Sequence, residues 1–161
     1  MKVIVDDKIP YIREALATMM VDAVYMPGSA IDNTAVRDAD ALIIRTRTRC
    51  DATLLEGSRV QFIATATIGF DHINTAYCDA HGIRWTNAPG CNAASVRQYV
   101  QSVLLLLEAE GQLRLSTGTI GVVGVGHVGT LVADMAESWG MRVLRCDPPR
   151  AERGEEGFVS L

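Results

Sequence analysis

The sequence has no apolar run long enough to span a membrane. Its longest, residues 103–107, is far short of the roughly 20 residues a bilayer requires. The amino terminus, M-K-V-I-V-D-D, has no secretory pattern, because aspartates interrupt its apolar run at once. There is no basic tail and no block of like charges, and the net charge is −4. A nucleic-acid or anionic-membrane partner is therefore not expected. Cys50, Cys78, Cys91 and Cys146 are scattered, with no C-x-x-C, so reduced thiols and a cytoplasmic location are expected. Cys78-x-x-His81 has no matching second half, and no metal site is expected. Low-complexity segments are absent, as is any repeat beyond an alternation of strand-like and helix-like stretches.

What is present suits one domain, or one small domain with part of another: 161 residues, 48% of them apolar. Residues 2–5 read as a first strand. Pro10 suits the first position of a helix, in which Ile12, Leu16 and Met20 recur every four residues. Residues 23–25 read as a second strand closed by Pro27-Gly28, and a polar stretch leads to a third strand at 41–45. A short helix (Ala52–Leu55), a strand at 60–64, a helix over 73–81 ended by Gly82, and a strand at 83–86 follow. Such alternation predicts a parallel sheet covered by helices, a flavodoxin-like α/β domain over residues 1–90. Pro89-Gly90 breaks the chain. Beyond it, Val96, Tyr99, Val100, Val103, Leu104 and Leu107 lie on one face of a long helix with Asn92 as its N-cap. Leu105 and Leu106 widen that surface, so both sides of the helix are expected to pack.

The most informative stretch is residues 119–147. Ile120, Val122, Val123 and Val125 form a short β-branched run, the pattern of a buried parallel strand. Gly124, Gly126 and Gly129 follow as G-x-G-x-x-G, then an amphipathic helix, then a second strand leading to Asp147, 18 residues after Gly129. The first glycine permits a tight turn, the second a close backbone approach to a pyrophosphate, and the third close packing of helix on strand. The helix start offers unpaired N–H groups to phosphate. Asp147 can accept hydrogen bonds from the adenosine ribose hydroxyls, and its charge disfavours a 2′-phosphate. Strand, loop, helix and acid together predict the first part of a Rossmann domain over residues 91–161, binding NAD rather than NADP.

Ligands of open α/β sheets sit beyond the carboxyl ends of the strands. The third strand runs into Arg45, Thr46, Arg47 and Thr48. If it stays extended, the two arginines share one face and the two threonines the other. That pair is either an anion site for carboxylate or phosphate or a solvated basic edge. The fourth strand runs into Thr65, Thr67, Gly69, Asp71 and His72. Thr67 can aim its hydroxyl at a ligand, Asp71 reads as the N-cap of the next helix, and His72 is either a general base or an idle, partly exposed ring. His127, inside the glycine loop, is expected to line the cofactor diphosphate.

The order of parts, with four stretches, resembles the D-isomer-specific 2-hydroxyacid dehydrogenases. The stretches are V-D-D-K-I-P-Y (5–11), T-A-T-I-G-F-D-H-I (65–73), A-P-G-C-N-A (88–93) and C-D-P-P-R-A-E-R-G-E-E-G-F (146–158). The last two are more specific than the glycine loop. The resemblance spans all 161 residues but only the amino-terminal part of the family's length. It implies NAD-dependent oxidation of a small phosphorylated 2-hydroxy acid at carbon 2, with a homodimer when full length. Thr46 and Thr67 match substrate-binding positions, Thr46 standing where a serine is common, and Arg45 or Arg47 would meet the substrate phosphate. His127, Val128 and Asp147 match NAD-contacting positions, beside Gly124, Gly126 and Gly129. Arg97-Gln98 stands where relatives often carry a glutamate, which is expected to alter a surface pair. The family's catalytic arginine, glutamate and histidine have no counterpart here, so no catalytic residue is assigned to this chain. It is expected to be a truncated form, inactive alone. The alternative is a non-catalytic NAD-sensing or interaction module, such as the family's corepressors resemble.

Overall fold

In the computed structural model, which describes residues 1–161, the β-branched runs form strands paired in parallel. The chain divides into two units, Met1–Pro89 and Gly90–Leu161. The first runs β1 (Lys2–Asp6), α1 (Ile12–Ala17), β2 (Asp22–Met26), α2 (Asn33–Val36), β3 (Ala41–Ile44), α3 (Ala52–Leu55), β4 (Phe62–Thr65), α4 (Thr75–Ala80) and β5 (Arg84–Thr86). The five strands are all parallel, in the order β2-β1-β3-β4-β5. This is the flavodoxin-like α/β arrangement.

The central strands are buried on both faces, which is why they read as nearly unbroken apolar runs. Ile4, Leu42, Ile44 and Ile63 point one way and pack with Val36, Leu54, Leu55, Ile73 and Cys78 from the α2–α4 side. Val3, Val5 and Ala41 point the other way, onto Leu16 of α1. The α2–α4 side is covered along the sheet, and α1 covers the other face over β1 to β3, whereas Phe62 of β4 is exposed there.

Local departures from the sequence reading have local causes. Tyr11 adopts a left-handed backbone (φ 59°), so α1 starts at Ile12 and Pro10 lies outside it. The Thr18 hydroxyl donates back to Ala15 O at 2.8 Å, α1 closes, and Met20 stands fully exposed. The stretch read as polar contains α2, capped by Asp32 accepting from Ala35 N at 2.9 Å. Asp71 caps nothing. The N-cap of α4 is Asn74, which accepts from Tyr77 N at 3.1 Å.

The second unit runs α5 (Ala93–Ala109), β6 (Thr119–Val123), α6 (His127–Ser138), β7 (Arg142–Cys146) and α7 (Pro148–Glu152). β6 and β7 pair in parallel, Ile120 opposite Val143. α6 buries Val132, Ala133 and Met135 with Val122 and Val125, and Val100 and Leu104 of α5 pack on that cluster. This is the opening strand–helix–strand unit of a Rossmann fold. α5 packs on one side only: Tyr99, Leu105 and Leu106 are 71%, 45% and 58% exposed, contrary to the expectation that both sides pack. Asn92 stands at its N-cap position but makes no side-chain cap bond. Arg97 is half-buried, with no hydrogen-bond partner for its Nε, so it belongs to no surface pair. No helix is long and apolar enough to cross a membrane.

Candidate functional site

The carboxyl ends of β3 and β4 are neighbours, Ile44 opposite Thr65, so residues 45–49 and 66–72 emerge together. β3 does not stay extended. Thr48 N donates to Arg45 O at 3.1 Å, closing a turn that ends the alternation of faces. Arg45 folds back onto the end of β1, its Nε 3.1 Å and its Nη2 3.3 Å from the carboxylate oxygens of Asp6. Asp6 is fully buried and also accepts from Lys8 N at 2.9 Å. Leaving that carboxylate unpaired would carry a large desolvation penalty, so the pairing decides where Arg45 points. Arg47 is exposed and shares no clamp with Arg45. Thr48 is a buried peg, its hydroxyl donating to Gly28 O at 2.9 Å.

Thr46 is exposed and lines a cleft of about 390 Å³ with Arg49, Gly69, Asp71 and His72. The turn at 45–48 brings Arg49 into this cleft. An extended strand gave no reason to single it out from R-T-R-T-R. Arg49 also pairs with Asp51, Nε to Oδ2 at 2.9 Å.

Behind the cleft runs a hydrogen-bonded chain. The Thr65 hydroxyl lies 2.9 Å from His72 Nε2 and 2.6 Å from the Thr67 hydroxyl, and Thr67 donates to Gly69 O at 2.9 Å. Each hydroxyl has one proton to give. With that of Thr67 on Gly69, Thr65 donates to Thr67, and His72 Nε2–H donates to Thr65. Burial lowers the His72 pKa from its ordinary 6.5, with Asp71 opposing the shift, which favours the neutral ring. His72 therefore fixes the Thr67 hydroxyl through Thr65, a link the sequence offered only as three polar residues at a strand end.

In the second unit the glycine loop joins β6 to α6. Gly124 adopts φ +83°, which only glycine takes up readily, and its N–H donates to Cys146 O at 2.8 Å. A Cβ on Gly129 would lie 2.0 Å from Gly124 O, so α6 approaches β6 as closely as it does only because that atom is missing. A Cβ on Gly126 would meet nothing within 4 Å, and the backbone there is open to a ligand. The first bond into α6 is Thr130 N to Gly126 O at 2.9 Å. The N–H groups of His127, Val128 and Gly129 are left at the positive end of a 12-residue helix. The Val128 side chain packs into the core, so its backbone alone faces outward. His127 is exposed, its ring over the backbone of Gly90.

Asp147 follows β7 and caps α7, accepting from Arg150 N at 3.2 Å through Oδ1 and from Val125 N at 2.7 Å through Oδ2. A carboxylate has about four acceptor positions, so two remain for outside donors. Donors for phosphate, an open approach and an acid with spare acceptors together fit the pyrophosphate and ribose of a dinucleotide.

Residues 3–140 match the D-isomer specific 2-hydroxyacid dehydrogenase, catalytic domain, family. The chain is 61% identical over 162 aligned residues to the erythronate-4-phosphate dehydrogenase of Bacteroides fragilis, covering all of this chain and 47% of that protein. It is 41% identical to the protein of that name in Porphyromonas gingivalis, covering 44% of it. The chain spans about half the length of the curated relatives it matches. Among solved structures it is similar to an NAD+-bound 3-phosphoglycerate dehydrogenase of Entamoeba histolytica, with TM-score 0.75 and 26% identity over all of this chain and 57% of that one. It is also similar to the D-lactate dehydrogenase of Aquifex aeolicus complexed with NAD and lactic acid, with TM-score 0.71 and 25% identity over all of this chain and 56% of that one. With the family matched over most of its length and the glycine loop, acid and paired strand ends in place, the chain belongs to the D-isomer-specific 2-hydroxyacid dehydrogenase family.

Proposed function

We propose that these 161 residues form the substrate-side unit and the beginning of the NAD-binding unit of an NAD-dependent oxidoreductase. It oxidises 4-phospho-D-erythronate at carbon 2 to 2-oxo-3-hydroxy-4-phosphobutanoate, a step towards pyridoxal 5′-phosphate, in the cytoplasm. The observation that carries this reading is the 61% identity, across the whole chain, to a protein named for that substrate. The open glycine loop with Asp147 supports the cofactor half. The hydrogen-bonded His72–Thr65–Thr67 chain beside Thr46 supports the substrate half.

NAD, when bound, supplies the hydride acceptor. The residues of this chain bind and orient. The N–H groups at the start of α6 hold the diphosphate, and the spare acceptors of Asp147 take the ribose hydroxyls and repel a 2′-phosphate. Thr46 and Thr67 hydrogen-bond substrate oxygens, Thr67 with its proton already committed to Gly69 and so as an acceptor. Arg45 is held by Asp6, which leaves Arg47 of that pair for the substrate phosphate. Proton transfer is assigned to no residue of this chain.

The test is NADH formation from 4-phospho-D-erythronate by the protein that the gene encodes, with 3-phosphoglycerate and D-lactate as comparison substrates. Turnover preferring 4-phospho-D-erythronate is expected. A preference for another 2-hydroxy acid would overturn the substrate assignment. NAD binding without turnover on any of them would favour a sensing or interaction module.

A further inference from the structure

The backbone of Val125, between the first two glycines, is held at both its N–H and its carbonyl by the segment that follows β7. Its N–H donates to Asp147, and its carbonyl accepts from Arg150 Nη1 at 2.8 Å and from Thr130 Oγ1 at 3.3 Å. Arg150 is itself bracketed. Its Nε and Nη2 meet one oxygen of Glu155 at 2.7 and 2.6 Å, and its guanidinium lies 4.8 Å over the Phe158 ring. The other oxygen of Glu155 accepts from Arg153 at 3.0 Å. Phe158 is tied down in turn, because Val159 N donates to Arg145 O of β7 at 2.7 Å. An arginine beside a ribose-binding acid is chemically suited to a 2′-phosphate. Here three of its roughly five donors are already directed at Glu155 and Val125.

We propose that Arg150 is a positioning residue for the dinucleotide, and that its bracket by Glu155 and Phe158 sets discrimination between NAD and NADP together with Asp147. Arg150 fixes the Val125 carbonyl, which keeps the glycine turn in one orientation and the Asp147 carboxylate facing the ribose. The bracket withholds the guanidinium from a 2′-phosphate. This inference rests on the proposed dinucleotide site.

The experiment is calorimetric titration of NAD and NADP into the unmutated protein, Arg150→Ala and Glu155→Gln, with thermal midpoints measured in parallel. Arg150→Ala should weaken NAD about tenfold, the worth of one charge-assisted hydrogen bond, and should speed hydrogen exchange at the Val125 amide without cofactor. Glu155→Gln keeps the shape but releases the guanidinium. It should shift the ratio of the two dissociation constants several-fold towards NADP with little change in thermal midpoint. A purely structural role would lower the midpoint, weaken both cofactors alike and leave the ratio where it was, and that result overturns the proposal. Unchanged affinities and ratio in both variants would overturn it too. If the unmutated protein binds neither cofactor, the dinucleotide site itself fails, which is a different outcome from the failure of Arg150.

Discussion

The two units use the same alternation of strand and helix, but one of them covers far more of its sheet than the other. In Met1–Pro89 five parallel strands have helices on both faces, and the sheet is tight enough to bury the Asp6 carboxylate completely against Arg45. In Gly90–Leu161 two strands and α6 make one side of a sheet. Val123 of β6 is 70% exposed, as are Tyr99, Leu105 and Leu106 of α5 in large part. The second unit nevertheless carries the more recognisable chemistry. Motif and stability are separate properties: three glycines and an acid need one loop, whereas a stable core needs neighbours on every side.

The largest expected effect sharpens that contrast. Leu42→Ala, at a fully buried site in the first unit, should cost about 2–5 kcal/mol. Leu106→Ala, on the exposed face of α5, should stay within about 0.5 kcal/mol. Urea unfolding of the two variants checks this, and equal losses would mean that α5 is covered in solution. Next comes cofactor choice. Asp147→Ala should weaken NAD by about 1.5–3 kcal/mol, the range for hydrogen bonds to a charged group, and relax discrimination against NADP. Equal binding of both by the unmutated protein would remove Asp147 from this role.

A smaller effect belongs to the first unit's cleft. Thr67→Val removes one hydroxyl and should raise the KM for the proposed substrate, 4-phospho-D-erythronate, by up to about tenfold, as one neutral hydrogen bond contributes about 0.5–1.5 kcal/mol. Thr46→Val should do the same without disturbing the His72 chain. An unchanged KM in both variants would take the substrate elsewhere. The smallest effect is a pH slope. Burial keeps the folded-state pKa of His72 below its ordinary 6.5, so the unfolded chain binds that proton more readily. The contribution to stability is complete above about pH 6.5 and is lost as pH falls through the lower folded value. His72→Gln should flatten that slope, and an NMR titration placing the folded His72 at or above 6.5 would contradict it.

Much of the fold was legible because buried parallel strands leave little choice of residue: V-I-V and A-L-I-I are buried on both sides or nearly so. The glycine loop was legible for a related reason, since Gly124 and Gly129 answer steric demands that no other residue meets. Elements fixed by one cap were harder to see. α2 is a single turn, too short for periodicity, and its signal is Asp32. α7 rests on Asp147 with Pro148 just after it, a helix start obscured by reading Asp147 only as a ligand. The arrangement of Arg45, Thr46 and Arg47 was not legible locally at all. It depends on Asp6, 39 positions earlier, drawing Arg45 back and so turning the strand's continuation.

Hydrogen exchange with and without NAD tests the division of labour most directly. In the 161-residue chain without cofactor, the amides of β6 and β7 should exchange much faster than those of β1 and β3. With NAD, the amides of Val125 and of His127, Val128 and Gly129 should slow while β1 and β3 stay as they were. Equal protection of the two units without cofactor, or protection by NAD that leaves the glycine loop untouched, would contradict it.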